Sequence, residues 1–284
     1  MFSEIEKINK KVKSDKAINL LFNNERNDKI TNNGRAFFYL NNKNKWQITK
    51  GLLPSLEEIY WENTNINKIT KSPSNKYSNK INKKRNINNK KKNNNNNNKN
   101  SDGGGRFAGI LLGKKIHKQL EDFILLDKKN FKRQHKELHK LTERILKYIM
   151  NDLSLQPLKG EFMIYDELLN ISTSIDMICT NKEGKLIFLE FKTGYKNYFE
   201  NNDGIMDKSL CFMNNSPLNW ATIQLVSSIM ILIKNYNINI NDTLSYIIRI
   251  DNENPIDCYP IQNEFIKKIS PYIYNDLLNK RIII

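Results

Sequence analysis

Cysteine is scarce in this chain. It has three, Cys179, Cys211 and Cys258, widely separated and with no CxxC pair. An odd, dispersed set gives no disulfide framework, and four-cysteine ligation of an iron–sulfur cluster is impossible within one chain. A reducing compartment is the simplest expectation, without an iron–sulfur cluster. Long apolar runs are missing as well. The longest wholly aliphatic one, Ile229 to Ile233, is far too short to span a bilayer, so no membrane partner is expected. No arginine precedes Arg26, while Glu4, Glu6 and Asp15 are already present, unlike an Arg-rich, acid-poor transit peptide. No address is legible, and localisation stays open.

Acidic residues are absent from one stretch altogether. Residues 64–101 hold eleven Lys or Arg and no Asp or Glu. The whole chain carries +16 with a pI near 9.5, which suggests a polyanionic partner. The eleven cations of that stretch, taken from the +16, leave +5 on the other 246 residues, so the body is only mildly basic. Hydrophobic residues make up 39% and the mean hydropathy is −0.64, so part of the length is expected to stay unpacked. The Asn/Lys-rich stretch cannot bury enough apolar surface to order itself. Biased base composition and a tether for nucleic acid both account for it. Three parts follow: an N-terminal segment over 1–62 on or near the body, a disordered basic insert over 63–105, and a core over 106–284.

Along the chain, Ser3 and Glu6 match a capping box opening an amphipathic helix over 3–23. Ala36–Leu40 reads as a strand. Pro54 ends an extended segment, and Ser55 is placed to cap a helix through Trp61. Gly103–Gly105 reads as a hinge. Helices are predicted over 109–126, with Leu112, Ile116, Leu120, Phe123 and Ile124 as its stripe, and over 131–150. Strands follow at 160–168, 171–180 and 185–192. Ser216-Pro217 is an N-cap and N1 pair for a largely apolar helix over 217–235. A strand over 243–250 and a helix over 261–279 close the chain. Helix, helix, three strands, helix, strand, helix indicates an α/β domain with a mixed sheet.

The chemistry concentrates on the predicted hairpin of 171–192. Glu190 and Lys192 share one face of an apolar strand, and a turn over 180–185 can bring Asp176 opposite them. Charges there are costly unless paired or bound to metal. Asp176 and Glu190 can hold Mg²⁺ or Mn²⁺, the carbonyl of Phe191 can add a ligand, and His117 on the preceding helix can complete the site. Lys192 then orients a water or stabilises developing charge. His135 and His139 lie one turn apart, but in no HExxH and with no third ligand evident, so zinc is not expected. Trp46, Tyr60 and Trp61 can stack on bases or pack in the core.

These residues resemble the PD-(D/E)XK nuclease superfamily. Asp176 with Glu190-Phe191-Lys192 matches its motif, and Gly113 to Glu121 looks like the GxxxHxxxE helix of the RecB-like branch. Glu161 is similar to the acidic residue of the first strand, and Gln224 to the start of QxxxY, with Ser228 where the Tyr would stand. Leu53-Pro54-Ser55-Leu56 resembles the PSVT segment of mitochondrial genome maintenance exonucleases. Ser172 to Ser174 replaces the usual glycine before the strand aspartate, and the insert is longer than such a protein would carry. The resemblance implies a restriction-endonuclease-like core with a central mixed four-stranded sheet flanked by helices. It implies a Mg²⁺- or Mn²⁺-dependent exonuclease acting on single-stranded DNA or DNA ends. Catalysis would fall to Lys192, Asp176 and Glu190, metal to His117, Asp176, Glu190 and Phe191, and nucleic-acid contacts to Gln224, Ser228, Glu161 and Ser55. The alternatives are an endonuclease or RNA-cleaving enzyme with the same site, and a non-catalytic binding module of the same fold. A monomer is the favoured state.

Overall fold

The computed structural model describes residues 30–32, 37–40, 46–61, 102–193, 198–251 and 255–282. The helix expected over 3–23 and the insert through residue 101 lie outside them. Strands β1 (Ile30–Asn32), β2 (Phe37–Leu40) and β3 (Trp46–Gly51) pair antiparallel in sequence order. Helix α1 (Leu52–Tyr60) follows directly, with Gly51 as its N-cap residue. Ser55 is therefore not the cap. It lies in the first turn, buried, with its hydroxyl donating to the Gly51 carbonyl at 3.1 Å, and Pro54 is tolerated because first-turn amides need no intrahelical partner.

Helix α2 (Asp102–Leu125) starts earlier than the apolar stripe suggested and takes in Gly103–Gly105, so those glycines are helical backbone and not a hinge. The single helix expected over 131–150 is two, α3 (Lys128–Gln134) and α4 (Lys140–Lys147), and a π-turn over Tyr148–Asp152 extends the second. Side chains force the break. His135 Nε2 meets the buried Asp122 carboxylate at 2.8 Å, and His139 Nδ1 accepts the Leu141 N–H at 3.2 Å, capping α4. Gln119, buried on α2, takes the His139 N–H and the Thr142 hydroxyl. Both histidines thus hold backbone and helix junctions.

Strands β4 (Gln156–Asp166), β5 (Ile171–Thr180) and β6 (Leu186–Thr193) run antiparallel in turn. Asn181 closes the β5–β6 hairpin by accepting the Lys185 N–H on its side chain at 2.9 Å, and Gly184 supplies the φ of +78° that the turn requires. Helix α5 (Pro217–Tyr236) is capped by the Ser216 hydroxyl, as its sequence promised. By length and composition it passes as a bilayer span, although no aliphatic run within it is long. Its apolar residues are nonetheless spent against the sheet. Strand β7 (Thr243–Ile250) lies parallel to β6, and β8 (Asp257–Ile261) adds a fifth strand where the sequence showed none, before α6 (Asn263–Ile282). Arg249, buried on β7, holds that edge by bonding Asp251 and Asp257.

The architecture is α/β, a mixed sheet flanked by helices. Its central path is β4-β5-β6-β7-β8, and β3 joins β5 in parallel through Lys50↔Ile171 and Gly51↔Ser172. Because β4 covers the other edge of β5 along its whole length, β3 and β6 share one edge, β3 at its start and β6 at its end. One face of the sheet packs on α2 and α4 through Ile116, Leu120, Phe123 and Ile145 against Met177, Ile187 and Leu189. The opposite face packs on α1, α5 and α6. Tyr60 Oη donates to Asp276 at 2.9 Å, tying α1 to α6.

Two glycines let α2 close on the sheet. A Cβ on Gly160 would stand 2.8 Å from the Glu121 Cα, and one on Gly113 would stand 3.0 Å from Thr193 Oγ1. Backbone cannot yield as a threonine rotamer can. Gly160→Ala is therefore expected to cost about 1–3 kcal/mol in urea denaturation. Gly113→Ala should be near neutral, since the helix propensity gained by alanine, about 1 kcal/mol, offsets the tighter contact. Equal losses in the two variants would show that the Gly160 approach does not set the helix position.

Candidate metal centre

The β5–β6 ladder runs from Thr180↔Leu186 to Met177↔Leu189 and stops there. One further step would place Asp176 opposite Glu190. Instead the strands part, and the Phe191 N–H donates to Asp176 Oδ2 at 2.7 Å in place of a ladder bond. On the other edge of β5, the register Gly160↔Met177 and Phe162↔Ile175 sets Glu161 opposite Asp176. Glu161 has φ +45°, a left-handed conformation uncommon for a side-chain-bearing residue and costing on the order of 1–3 kcal/mol. The alternation of core-facing residues changes phase at the same level. Ile175 and Ile178 face one cluster, Met177 and Cys179 the other.

Helix α2 delivers His117 to this opening. Its Nδ1 lies 3.2 Å from Glu161 Oε1 and 3.4 Å from Asp176 Oδ1, and its ring meets Phe191 edge-on at 6.2 Å between centroids. The ligand atoms of His117, Glu161 and Asp176 lie within 4.8 Å of one another. One imidazole nitrogen with two carboxylate oxygens is a donor set for a hard or borderline divalent cation. Glu121, the last residue of the helix motif, turns to Lys118 at 2.9 Å and does not enter the site.

Glu190 goes elsewhere. It is 2% exposed, on the face of β6 that looks toward α5, and Lys192 Nζ donates to it at 2.7 Å. The same ammonium donates to Gln224 Oε1 on α5 at 3.1 Å. The expected ligand pair Asp176 and Glu190 is thus divided in this arrangement. Asp176 stays with His117, Glu161 stands where Glu190 was expected, and Glu190 holds Lys192. Phe191 contributes its amide to Asp176. Glu161 was expected as a nucleic-acid contact, and the structure brings it to His117 and Asp176 as a further candidate ligand. Antiparallel register counted across the 167–170 turn would have set it opposite Asp176. Ser228 is buried and donates to the Gln224 carbonyl at 2.9 Å, so it offers nothing to a ligand, and the buried Ser55 likewise stays within its helix. The Trp46 side chain lies outside what is described.

Electrostatics tie the groups together. Burial penalises the imidazolium of His117, but Asp176 and Glu161 outweigh it and raise its pKa to about 10. Burial likewise opposes charge on Asp176, yet His117, Lys192 and the Phe191 amide hold it below the usual carboxylate range. Burial and the neighbouring Asp176 push Glu190 up to about 7, with Lys192 pulling the other way.

No protein-family model matches the chain, and no curated protein matches it. Among solved structures, the crystal structure of SSO0001 is similar over 59% of this chain and 87% of its own length, at 15% identity and a TM-score of 0.24. That likeness is too slight to carry an argument.

A cation ligated by Nδ1 must displace the proton that His117 holds at neutral pH. Mn²⁺ affinity is therefore expected to rise with pH from 6 toward 9, with about one proton released per ion at pH 7.5. Calorimetry in buffers of different ionisation enthalpy measures that release. His117→Ala should bind Mn²⁺ at least tenfold more weakly and release less. Proton-neutral binding by the unaltered protein would remove His117 from the ligand set.

Proposed function

We propose that the protein is a Mg²⁺- or Mn²⁺-dependent nuclease that hydrolyses phosphodiester bonds of single-stranded DNA or DNA ends, on a restriction-endonuclease-like core. The observation that supports this best is the convergence of His117, Glu161 and Asp176 within ligand distance, with the charge of Lys192 helping to keep Asp176 ionised. The bound ion would neutralise phosphate charge and lower the pKa of the attacking water. Asp176, kept ionised and aimed by the Phe191 amide, would hold it with His117 and Glu161. Lys192 Nζ, steadied by Glu190 and Gln224, would donate to the oxygen on which charge develops. Glu190 would act by positioning that lysine. The resemblance of the GxxxH helix and the Asp…Glu-x-Lys pattern to RecB-like nucleases supports the choice of reaction, and the exonuclease assignment rests on that resemblance.

Purified protein should degrade an end-labelled single-stranded oligonucleotide with Mn²⁺ or Mg²⁺ and lose all cleavage in EDTA. Asp176→Ala and Lys192→Ala should each lower kcat by about 10³-fold or more while keeping the circular-dichroism spectrum of the parent. Full activity in either variant would sink the mechanism. Covalently closed single-stranded circles should survive, and their cleavage would make the enzyme an endonuclease.

A further inference from the structure

The end of α1 presents an exposed indole. Trp61 follows the last residue of that helix and is 42% exposed, and its ring lies against Trp220 of α5 with centroids 5.7 Å apart and planes tilted by 31°. Hydrogen bonds hold the helix end that carries this indole. The neighbouring Tyr60 is buried with its hydroxyl on Asp276, its carbonyl accepts the Asp207 N–H at 3.2 Å, and the Trp61 N–H closes on the Glu57 carbonyl at 3.0 Å. Trp220 is fixed as firmly. Its Nε1–H donates to Asn215 Oδ1 at 2.6 Å, and Asn215 is itself buried and backbone-bonded to Gly204 and Asp203. With the Trp220 N–H satisfied and that ring packed partly on the core, Trp220 backs Trp61, whose ring is the aromatic surface offered outward.

Position gives the pair its meaning. Trp220 lies four residues before Gln224 on α5, so the two share a helix face about 6 Å apart along the axis. Gln224 is bonded to Lys192 in the candidate site. Trp220 therefore stands one helical turn from the glutamine that holds the lysine. We infer that Trp61 and Trp220 form a stacking platform for an unpaired base of the strand whose phosphate enters the site. The inference rests on the nuclease reading for the identity of the ligand. An aromatic, sequence-tolerant platform accepts any base, but only one free of its partner, because a paired and stacked base has no open face. The platform makes the site selective for single strands over duplex. Tyr60, the other aromatic considered at this helix end, is buried and serves as its anchor.

The test compares the unaltered protein with Trp61→Ala and Trp61→Phe. Anisotropy of a labelled oligothymidylate in EDTA reads binding, and cleavage of the same oligonucleotide with Mn²⁺ reads KM and kcat. Trp61→Ala is expected to weaken binding and raise KM about tenfold on single strands, with kcat held and less than a twofold change on a blunt duplex. Trp61→Phe should recover most of the loss. If the parent cleaves and Trp61→Ala keeps its KM, or if phenylalanine loses as much as alanine, the platform is overturned and the nuclease reading survives. If the parent binds the oligonucleotide through Trp61 but never cleaves it with metal, the platform stands and the nuclease reading falls. A parent that neither binds nor cleaves overturns both.

Discussion

The structure turns on the point where β5 and β6 stop pairing. Continued by one step, the ladder would set the carboxylates of Asp176 and Glu190 across from each other between two apolar clusters, where like charges in low dielectric repel strongly. The strands part instead. The amide that the ladder gives up, that of Phe191, is spent on Asp176, so the opening costs no unsatisfied donor. Everything in the candidate site follows from this separation. Asp176 is turned toward α2 and His117, and Glu190 toward α5 and Lys192.

The charges that gather there do not balance by themselves. Glu161, Asp176 and Glu190 bring three carboxyl groups, and His117 and Lys192 bring two cations. The proton on His117 and the raised pKa of Glu190 are how the protein carries that excess alone. A divalent cation would relieve it more fully, releasing the imidazole proton and setting two positive charges against the Glu161 and Asp176 carboxylates. The left-handed backbone of Glu161 falls at the same level of the sheet, opposite Asp176.

What could be read in the sequence was whatever depends on local period and spacing. The apolar stripe of α2, the Ser216-Pro217 start of α5, the bounds of β7 and the alternation that sets Glu190 and Lys192 on one face all have that character. The misplaced features depend on partners distant in the chain. His135 breaks a helix because Asp122 waits on another one, and β3 finds β5 across more than a hundred residues. Strand β8 was hidden because Asp257, Cys258 and Pro260 give it no apolar alternation, and its pairing with β7 alone makes it a strand. Glu161 lies between these cases. Its strand was legible, but its role needed the register.

The helix motif shows most clearly how spacing becomes chemistry. Of Gly113, His117 and Glu121, only the histidine reaches the site. Gly113 lets α2 come down on Thr193 at the end of β6, and the backbone of Glu121 rests on Gly160, next to Glu161 in β4. These two contacts fix the height of the helix above the sheet on either side of His117, at the strands that hold the other ligands. Imidazole is short, and a rise of an ångström would take Nδ1 beyond reach of both carboxylates. The motif therefore specifies a distance between layers, and the glycine of β4, outside any motif, completes it from the other side.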